Sequence, residues 1–276
     1  MKTNILLPTD FSDNAWSAIV YALKLYANEK CTFYLLNSTL LKVAPMSNFS
    51  NRLLDTMQKK AKEELLELKE QAEVSNANTN HNFEIILSTE NLVDAVKRAI
   101  KTHDIDCVVM GTKGASKVKE IFFGSNTVKI LKKLKSCPVL VIPEEFDFVE
   151  PKQIAFPTDY NRFYGDKELQ PLKKLANLFN TKIRVMHIED EKKLSDIQEY
   201  NMGKLEEYLS RFEHSFHWMP NYAKKTIEIK DFIEELNIDI LALINYKHSF
   251  IESIINEPVV KKIGFHPIVP FFVIPE

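Results

Sequence analysis

Residues 4–11 read NILLPTDF, and residues 153–160 read QIAFPTDY. Both stretches place Pro-Thr-Asp and an aromatic residue after a short apolar run. A second match joins CPVLVIPE at residues 137–144 to VPFFVIPE at residues 269–276, and residues 106–111 answer residues 239–244 between these marks. Because a repeat of this length decides the whole fold assignment, the chain is predicted to be two copies of one domain.

Each copy alternates short apolar runs with amphipathic stretches, which is the pattern of a parallel sheet covered by helices. In the first copy, apolar residues recur every three or four positions over residues 50–74, which predicts a helix with one buried stripe. The sequence therefore predicts an α/β protein with two tandem Rossmann-like domains, each a five-stranded parallel sheet flanked by helices. The domains are placed at residues 1–146 and 151–276. Strands of the first copy are expected near residues 4–8, 31–38, 83–88, 106–111 and 138–143.

Composition narrows the class of protein. The 276 residues include 45% hydrophobic and 27% charged residues, which is typical of a globular chain. A formal net charge of -2 gives no general affinity for nucleic acid or for an anionic membrane. No apolar run reaches the ~18 residues of a membrane span, and the first apolar run is too short for a signal peptide. Three cysteines without metal or redox spacing predict buried thiols and a cytoplasmic location.

A spaced set of glycines follows the fourth predicted strand. The order is Met110, then Gly111-Thr112-Lys113-Gly114, nine residues, and Gly124-Ser125-Asn126-Thr127 at the start of a helix. Glycines allow the backbone to approach a polyphosphate and to adopt positive φ angles, and N–H groups at a helix start favour anions. The pattern G-x-x-G-x9-G-S therefore indicates a phosphate-binding loop, although two of these glycines alone would indicate an ordinary strand-to-helix turn.

Other polar residues of this region have two interpretations each. Asp10 ends the first strand, where ligands collect in open α/β sheets, but it is also a residue type that caps helices. Ser12 is predicted to be the N-cap of the following helix. Lys113 either balances phosphate charge or points to solvent.

The chain resembles the universal stress protein family in its tandem-domain form. The resemblance rests on Pro8-Thr9-Asp10 after the first strand, on the spaced glycines, and on the closing segment 137–143, and it covers nearly the whole chain. It implies the adenine nucleotide alpha hydrolase-like fold and, in the first domain, ATP binding with Mg2+ or Mn2+. By the resemblance, Asp10 contacts the base or ribose, Ser38 lies near the adenine pocket, and the glycine loop surrounds the ribose and phosphates. The implied ATP-binding residues are Pro8, Thr9, Asp10, Ser38, Met110, Gly111, Lys113, Gly114, Gly124, Ser125, Asn126 and Thr127.

The second copy departs from the glycine pattern. It has Asn245-Tyr246-Lys247-His248 where the first copy has residues 111–114, and the next glycine is Gly264. It is therefore expected to bind no ATP in the manner of the family and to serve as a structural partner, with a pocket for another ligand as the alternative. Because family members commonly dimerise through their final strands, residues 138–142 and 270–274 are expected to pair with each other. The sequence leaves open whether the chain also forms a homodimer.

These observations are compatible with three functions. The first is a stress-response sensor, switch or adaptor that binds one ATP per chain. The second is an interaction module without nucleotide, and the third is a slow ATPase or another nucleotide enzyme on the same fold. No catalytic or metal-binding motif is visible in the sequence: His214 and His217 are expected on opposite faces of a strand, and His187 is expected to be a satisfied core histidine.

Overall fold

A computed structural model describes residues 2–40, 48–112, 123–189, 193–220, 225–246 and 268–276, with the backbone alone for residues 48–51. The chain divides into two compact units, Met1–Phe148 and Val149–Glu276, which we call the first and second domains. The division falls between the ranges expected for the two domains, residues 1–146 and 151–276. The prediction of an α/β protein with two tandem domains is thus confirmed.

The first domain contains one parallel sheet with the strand order β3-β2-β1-β4-β5. Its strands are β1 (Thr3–Pro8), β2 (Cys31–Ser38), β3 (His81–Ser88), β4 (Cys107–Gly111) and β5 (Val139–Ile142). Its described helices are α1 (Asp13–Leu25), α2 (Asn48–Ser75), α3 (Leu92–His103) and α4 (Ser125–Lys133). All five strands begin and end within about two residues of their predicted positions, because strands buried on both faces are apolar almost throughout.

The second domain repeats the arrangement with the strand order β8-β7-β6-β9-β10, again all parallel. The strands are β6 (Gln153–Pro157), β7 (Lys182–Ile188), β8 (His214–Met219), β9 (Ile240–Asn245) and β10 (Phe271–Pro275). The described helices are α5 (Asp166–Asn177), α6 (Asp196–Leu209) and α7 (Lys225–Leu236). No described helix of the chain is both long and apolar enough to cross a bilayer.

The helices begin where short polar side chains satisfy the first N–H groups. Ser12 accepts a hydrogen bond from the Ala15 N–H at the start of α1, as predicted, and Asn91 accepts one from the Asp94 N–H at the start of α3. The predicted stripe of α2 is confirmed at Ala61, Leu65, Leu68 and Ala72, which are buried, whereas Leu53 at its start is exposed. The amphipathic pattern therefore predicts the buried face well in the body of the helix and poorly near its N-terminal end.

Strand register corrects the alignment of the two glycine regions. Ile5 pairs with Cys107 in the first domain, and Ile154 pairs with Ile240 in the second, so these pairs correspond. Counting along β4 and β9 from there, Gly111 corresponds to Ile244 and not to Asn245. The register thus confirms the match of residues 106–111 with residues 239–244, and it shows that the comparison of residues 111–114 with residues 245–248 is shifted by one residue.

Candidate functional site

A cavity opens at the carboxyl ends of β1, β2 and β4, where strand order reverses around β1. The chain continues from β1 to β2 on one side and returns to β4 on the other, and open α/β sheets bind ligands at such a point. The described residues enclose about 100 Å³, which is below the ~300–1,000 Å³ usual for small-molecule sites. We call it the switch-point cavity. Its lining residues are Pro8, Thr9, Asp10, Ala15, Asn37, Ser38, Leu92, Met110, Gly111, Asn126 and Thr127.

The floor of the cavity is the turn after β1. The Thr9 hydroxyl oxygen accepts a hydrogen bond from the Phe11 N–H at 3.0 Å, and the Asp10 carboxylate accepts one from the Ser12 N–H at 3.3 Å. The Ser12 hydroxyl also donates to the Asp10 carboxylate at 2.6 Å. Phe11 takes a left-handed conformation with φ 63°. These bonds hold the exposed Asp10 at the cavity, next to the Ser12 that caps α1.

The end of β2 forms one wall. Asn37 is buried, and its amide donates to the Thr9 carbonyl at 2.9 Å, which fixes the turn against the strand. The amide oxygen of Asn37 accepts a hydrogen bond from the Thr39 hydroxyl at 2.8 Å. The Ser38 hydroxyl donates to the Glu90 carbonyl at 2.5 Å. This wall is therefore shaped by side chains whose polar groups are already used within the domain.

The start of α4 forms the opposite wall. Gly124 is the N-cap, with φ -59° and ψ 154°, and as a glycine it has no side chain with which to cap the helix. The first N–H groups of a helix have no carbonyl partner inside it and carry partial positive charge. Ser125 and Asn126 are exposed at this end. The helix start therefore suits an anion from the ligand.

The hydroxyl of Thr127, a residue that the family resemblance places at the phosphates, is hydrogen-bonded within the domain. Its side chain is buried, and its hydroxyl lies 3.0 Å from the Gly111 carbonyl and 3.1 Å from the Thr112 carbonyl. Because a hydroxyl has one proton to donate, that proton is used to tie α4 to the end of β4. The Gly124 N–H donates to the same Thr112 carbonyl at 2.5 Å.

Gly111 is also explained by packing. The described glycines have no positive φ, so left-handed backbone is not the reason for glycine here. A Cβ at this position would overlap the Asn14 side-chain oxygen and would lie 3.0 Å from the Asn14 carbonyl oxygen. Gly111 therefore lets α1 and β4 approach each other closely.

Eight of the predicted site residues thus lie together around the cavity: Pro8, Thr9, Asp10, Ser38, Met110, Gly111, Asn126 and Thr127. Gly124 and Ser125 lie at the adjoining helix start. Lys113 and Gly114 lie outside the described residues. Sequence reasoning missed Ala15, Asn37 and Leu92. Only the position of Asn37, one residue before Ser38, gave a signal that could have identified it.

The second domain builds the same turn and fills the space beside it. The Thr158 hydroxyl oxygen accepts from the Tyr160 N–H at 3.1 Å, and Tyr160 has φ 55°. The Tyr164 hydroxyl lies 3.1 Å from the Thr158 hydroxyl, and the Tyr246 hydroxyl donates to the Asp159 carboxylate at 3.4 Å.

The guanidinium of Arg162 completes this filling. It lies 5.0 Å from the centre of the Tyr246 ring and 5.6 Å from that of Tyr164, within the range of a cation–π contact. Burial raises the pKa of Tyr164 and of Tyr246. Both phenols therefore stay neutral at physiological pH.

His187 takes the place of Asn37 in the second domain. Pro8 pairs with Leu36 and Pro157 with Met186, so the next residues, Asn37 and His187, correspond. The His187 Nδ1 lies 2.9 Å from the Thr158 carbonyl, as the Asn37 amide does from the Thr9 carbonyl. The ring is buried and stacks on Tyr160 at a centroid distance of 4.8 Å. Its Nε2 has no hydrogen-bond partner among the described residues, so the expected satisfied core histidine is satisfied at one nitrogen only.

Asp10 is the one titratable side chain among the described residues that line the switch-point cavity. The part of the chain that the structure describes contains no group of three or more His, Cys, Asp or Glu able to hold a metal ion. Mg2+ bound with a nucleotide needs only one or two protein carboxylates, since phosphates and water supply its other ligands.

Comparison with known proteins agrees with this architecture. The sequence model of the Universal stress protein family matches residues 1–143. Universal stress protein MJ0577 of Methanocaldococcus jannaschii is 29% identical over 159 residues, which is 51% of this chain and 95% of that protein.

Two solved structures resemble the chain over nearly its whole length. A universal stress protein from Archaeoglobus fulgidus has a TM-score of 0.73 at 21% identity and covers 99% of this chain and 98% of its own. The functionally unknown protein PA1789 from Pseudomonas aeruginosa has a TM-score of 0.58 at 10% identity, with 99% of this chain and 92% of its own covered. At these identities the likeness shows the fold, and the family match extends over more than half of the chain. The chain therefore belongs to the universal stress protein family.

Proposed function

We propose that the first domain binds one ATP and that the chain acts as a cytoplasmic stress-response sensor, switch or adaptor. The observation that carries this proposal is the switch-point cavity, which joins the Asp10 turn to the glycine-capped start of α4. A nucleotide needs a pocket for the nucleoside and donors for the phosphates, and the two walls of this cavity supply one each.

The polarity of the cavity suggests how the ligand is oriented. The wall made by Asn37, Ser38 and Leu92 contains few groups with unused hydrogen-bonding capacity, which suits the base. The Asp10 carboxylate is an acceptor for ribose hydroxyls. The N–H groups of Ser125 and Asn126 face the phosphates. Mg2+ or Mn2+ would be held by the phosphates and water, with Asp10 as the carboxylate that lines the cavity.

The same residues favour binding over turnover. General base catalysis needs a titratable group within reach of the attacking water, and Asp10 is already hydrogen-bonded to the Ser12 hydroxyl and N–H. We therefore place a slow ATPase last. An interaction module without nucleotide is the second candidate, and only a binding measurement separates it from the first.

Calorimetric titration with ATP and Mg2+ tests the proposal, with one change in each domain. Asp10→Ala should weaken ATP binding at least tenfold, because it removes the exposed carboxylate of the cavity. Asp159→Ala is the matched control, since it makes the same change in the same turn of the second domain and should leave the affinity unchanged. An absence of binding by the unaltered protein at millimolar ATP would favour the interaction module.

We further propose that the second domain binds no ATP and that the domains pair through their last strands. The first part is supported by Tyr164 and Tyr246, which occupy the space beside the Asp159 turn. The second part is supported by the uniformly apolar character of β5 and β10, since an uncovered apolar strand edge promotes aggregation. Slow hydrogen exchange at every N–H of both strands in the intact chain is the expected result, and fast exchange at alternate positions would contradict pairing.

A further inference from the structure

Asn14, in the first turn of α1, lies directly against Gly111 at the end of β4. Asn14 is 7% exposed. A Cβ built on Gly111 would overlap its Oδ1 and would lie 2.8 Å from its Cγ and 3.0 Å from its carbonyl oxygen. Real Cβ atoms essentially never approach other heavy atoms below 3.0 Å. The Asn14 side chain therefore occupies the space that any other residue at position 111 would need.

The hydrogen bonds of Asn14 do not explain why an amide is present there. Its Nδ2 lies 3.5 Å from the Thr112 hydroxyl oxygen, at the outer limit of a hydrogen bond. Its buried Oδ1 has no hydrogen-bond partner among the described residues. A buried acceptor without a partner is destabilising, so a small apolar side chain would suit the core better. The Asn14 amide is therefore explained by the positioning of its neighbours and not by a contribution to the stability of the fold.

The contact of Asn14 with β4 continues into the start of α4. The Thr112 carbonyl accepts hydrogen bonds from the Thr127 hydroxyl and the Gly124 N–H, and the Gly111 carbonyl lies within reach of the same hydroxyl. A continuous series of contacts thus joins Asn14 to the end of β4 and then to the first turn of α4. A shift of Asn14 relative to Gly111 would be transmitted to the helix start that faces the cavity.

The second domain changes both members of this contact. Gly111 corresponds by strand register to Ile244, which is buried at 4% exposure. Asn14 is the second residue after the α1 N-cap, and the second residue after the α5 N-cap is the exposed Lys167. The domain whose cavity is filled therefore has neither the glycine nor the buried amide.

We infer that Asn14 is a positioning residue of the nucleotide site: seated on Gly111, it sets the distance between the Asp10 turn and the start of α4. Gly111 is glycine to admit Asn14, and not because the phosphate chain approaches its backbone. The inference rests on the proposed ATP site for its effect on binding, whereas the contact of the two residues is independent of any ligand.

A double-mutant cycle tests the contact in the protein without ligand. Gly111→Ala alone should lower the urea midpoint of unfolding, because the new methyl group overlaps the Asn14 side chain. In the Asn14→Ala background the same change should lower the midpoint by less than half as much. An equal loss in both backgrounds would overturn the inference, whether or not ATP binds.

The positioning role is tested by comparing two ligands. Asn14→Ala should weaken ATP binding about tenfold and adenosine binding less than twofold, since the start of α4 meets the phosphates alone. Lys167→Ala, the matched change in α5, should alter neither affinity. Equal losses for ATP and adenosine, or no loss for either, would contradict the role. Failure of the unaltered protein to bind ATP would refute the proposed function and leave the unfolding cycle as the test of the contact.

Discussion

The turns after β1 and β6 have the same backbone and opposite surroundings. In both, a threonine hydroxyl accepts the N–H of an aromatic residue two positions later, and an aspartate accepts the N–H two positions after itself. The first turn faces a cavity, whereas the second is covered by Tyr164 and Tyr246. The Pro-Thr-Asp motif therefore specifies a turn, and the residues around the turn determine whether it lies at a cavity or beneath aromatic side chains.

The largest effect should come from removing the filling of the second domain. Tyr164→Ala deletes a buried ring that packs on Phe156 at 5.7 Å, and the expected loss of stability is about 3–5 kcal/mol. Asn126→Ala removes an exposed side chain of the cavity and should change stability by less than about 0.5 kcal/mol. Urea unfolding measures both. Similar losses of stability for Tyr164→Ala and Asn126→Ala would mean that the side chains around the two turns are equally well packed.

Thiol labelling separates the domains, because all three cysteines lie in the first. Burial raises the pKa of Cys31 and Cys107 to about 12 and that of Cys137 further, so labelling requires opening of the first domain. ATP at 100 times its Kd should stabilise that domain by about 2.7 kcal/mol and slow labelling roughly 100-fold. The protection should fall to about tenfold or less in Asp10→Ala and stay near 100-fold in Asp159→Ala. Protection that stays near 100-fold in Asp10→Ala would place the nucleotide elsewhere.

The glycine N-caps of α4 and α5 offer a smaller, matched pair of changes. Gly124→Val puts a branched side chain at the helix start that faces the cavity and should weaken ATP binding about tenfold, which is about 1.4 kcal/mol. Gly165→Val makes the same change where a Cβ meets no atom within 4 Å, so ATP affinity should stay as it was. Calorimetry compares them, and equal affinities would show that the start of α4 does not meet the ligand.

Acidification should produce the smallest difference. Burial lowers the pKa of His81 in the first domain and of His217 in the second, where Arg184 lowers it further. The pKa of histidine in an unfolded chain is about 6.5, so below that pH the unfolded chain binds protons that the folded chain does not. The stability contribution is complete above pH ~6.5 and is lost as the pH falls through the lowered folded values.

Urea midpoints at several pH values between 5 and 8 measure this loss. His81→Gln should reduce the dependence more than His217→Gln, because His81 is buried and His217 is half-buried. The reverse order would mean that Arg184 outweighs burial.

The fold and part of the candidate site were predictable, because they depend on local sequence patterns. Buried strands are continuously apolar, and the repeat of residues 4–11 at 153–160 placed Asp10 and Asp159 at strand ends. The role of Gly111 was not predictable, since it depends on a contact with Asn14, far away in sequence. The filling by Tyr246 was missed for a related reason: its hydroxyl meets Asp159 only after two distant strands pair side by side.

Phe11 and Tyr160 show what the shared turn costs the protein. A side chain in the left-handed region is strained by about 1–2 kcal/mol, and both aromatic residues lie there, at φ 63° and 55°. The second domain keeps this strain although its turn is covered by tyrosines, so the strain serves the connection from strand to helix. Strained backbone is often taken as a sign of function. In this chain it is a property of the architecture, equally present in the domain whose turn is covered by tyrosines.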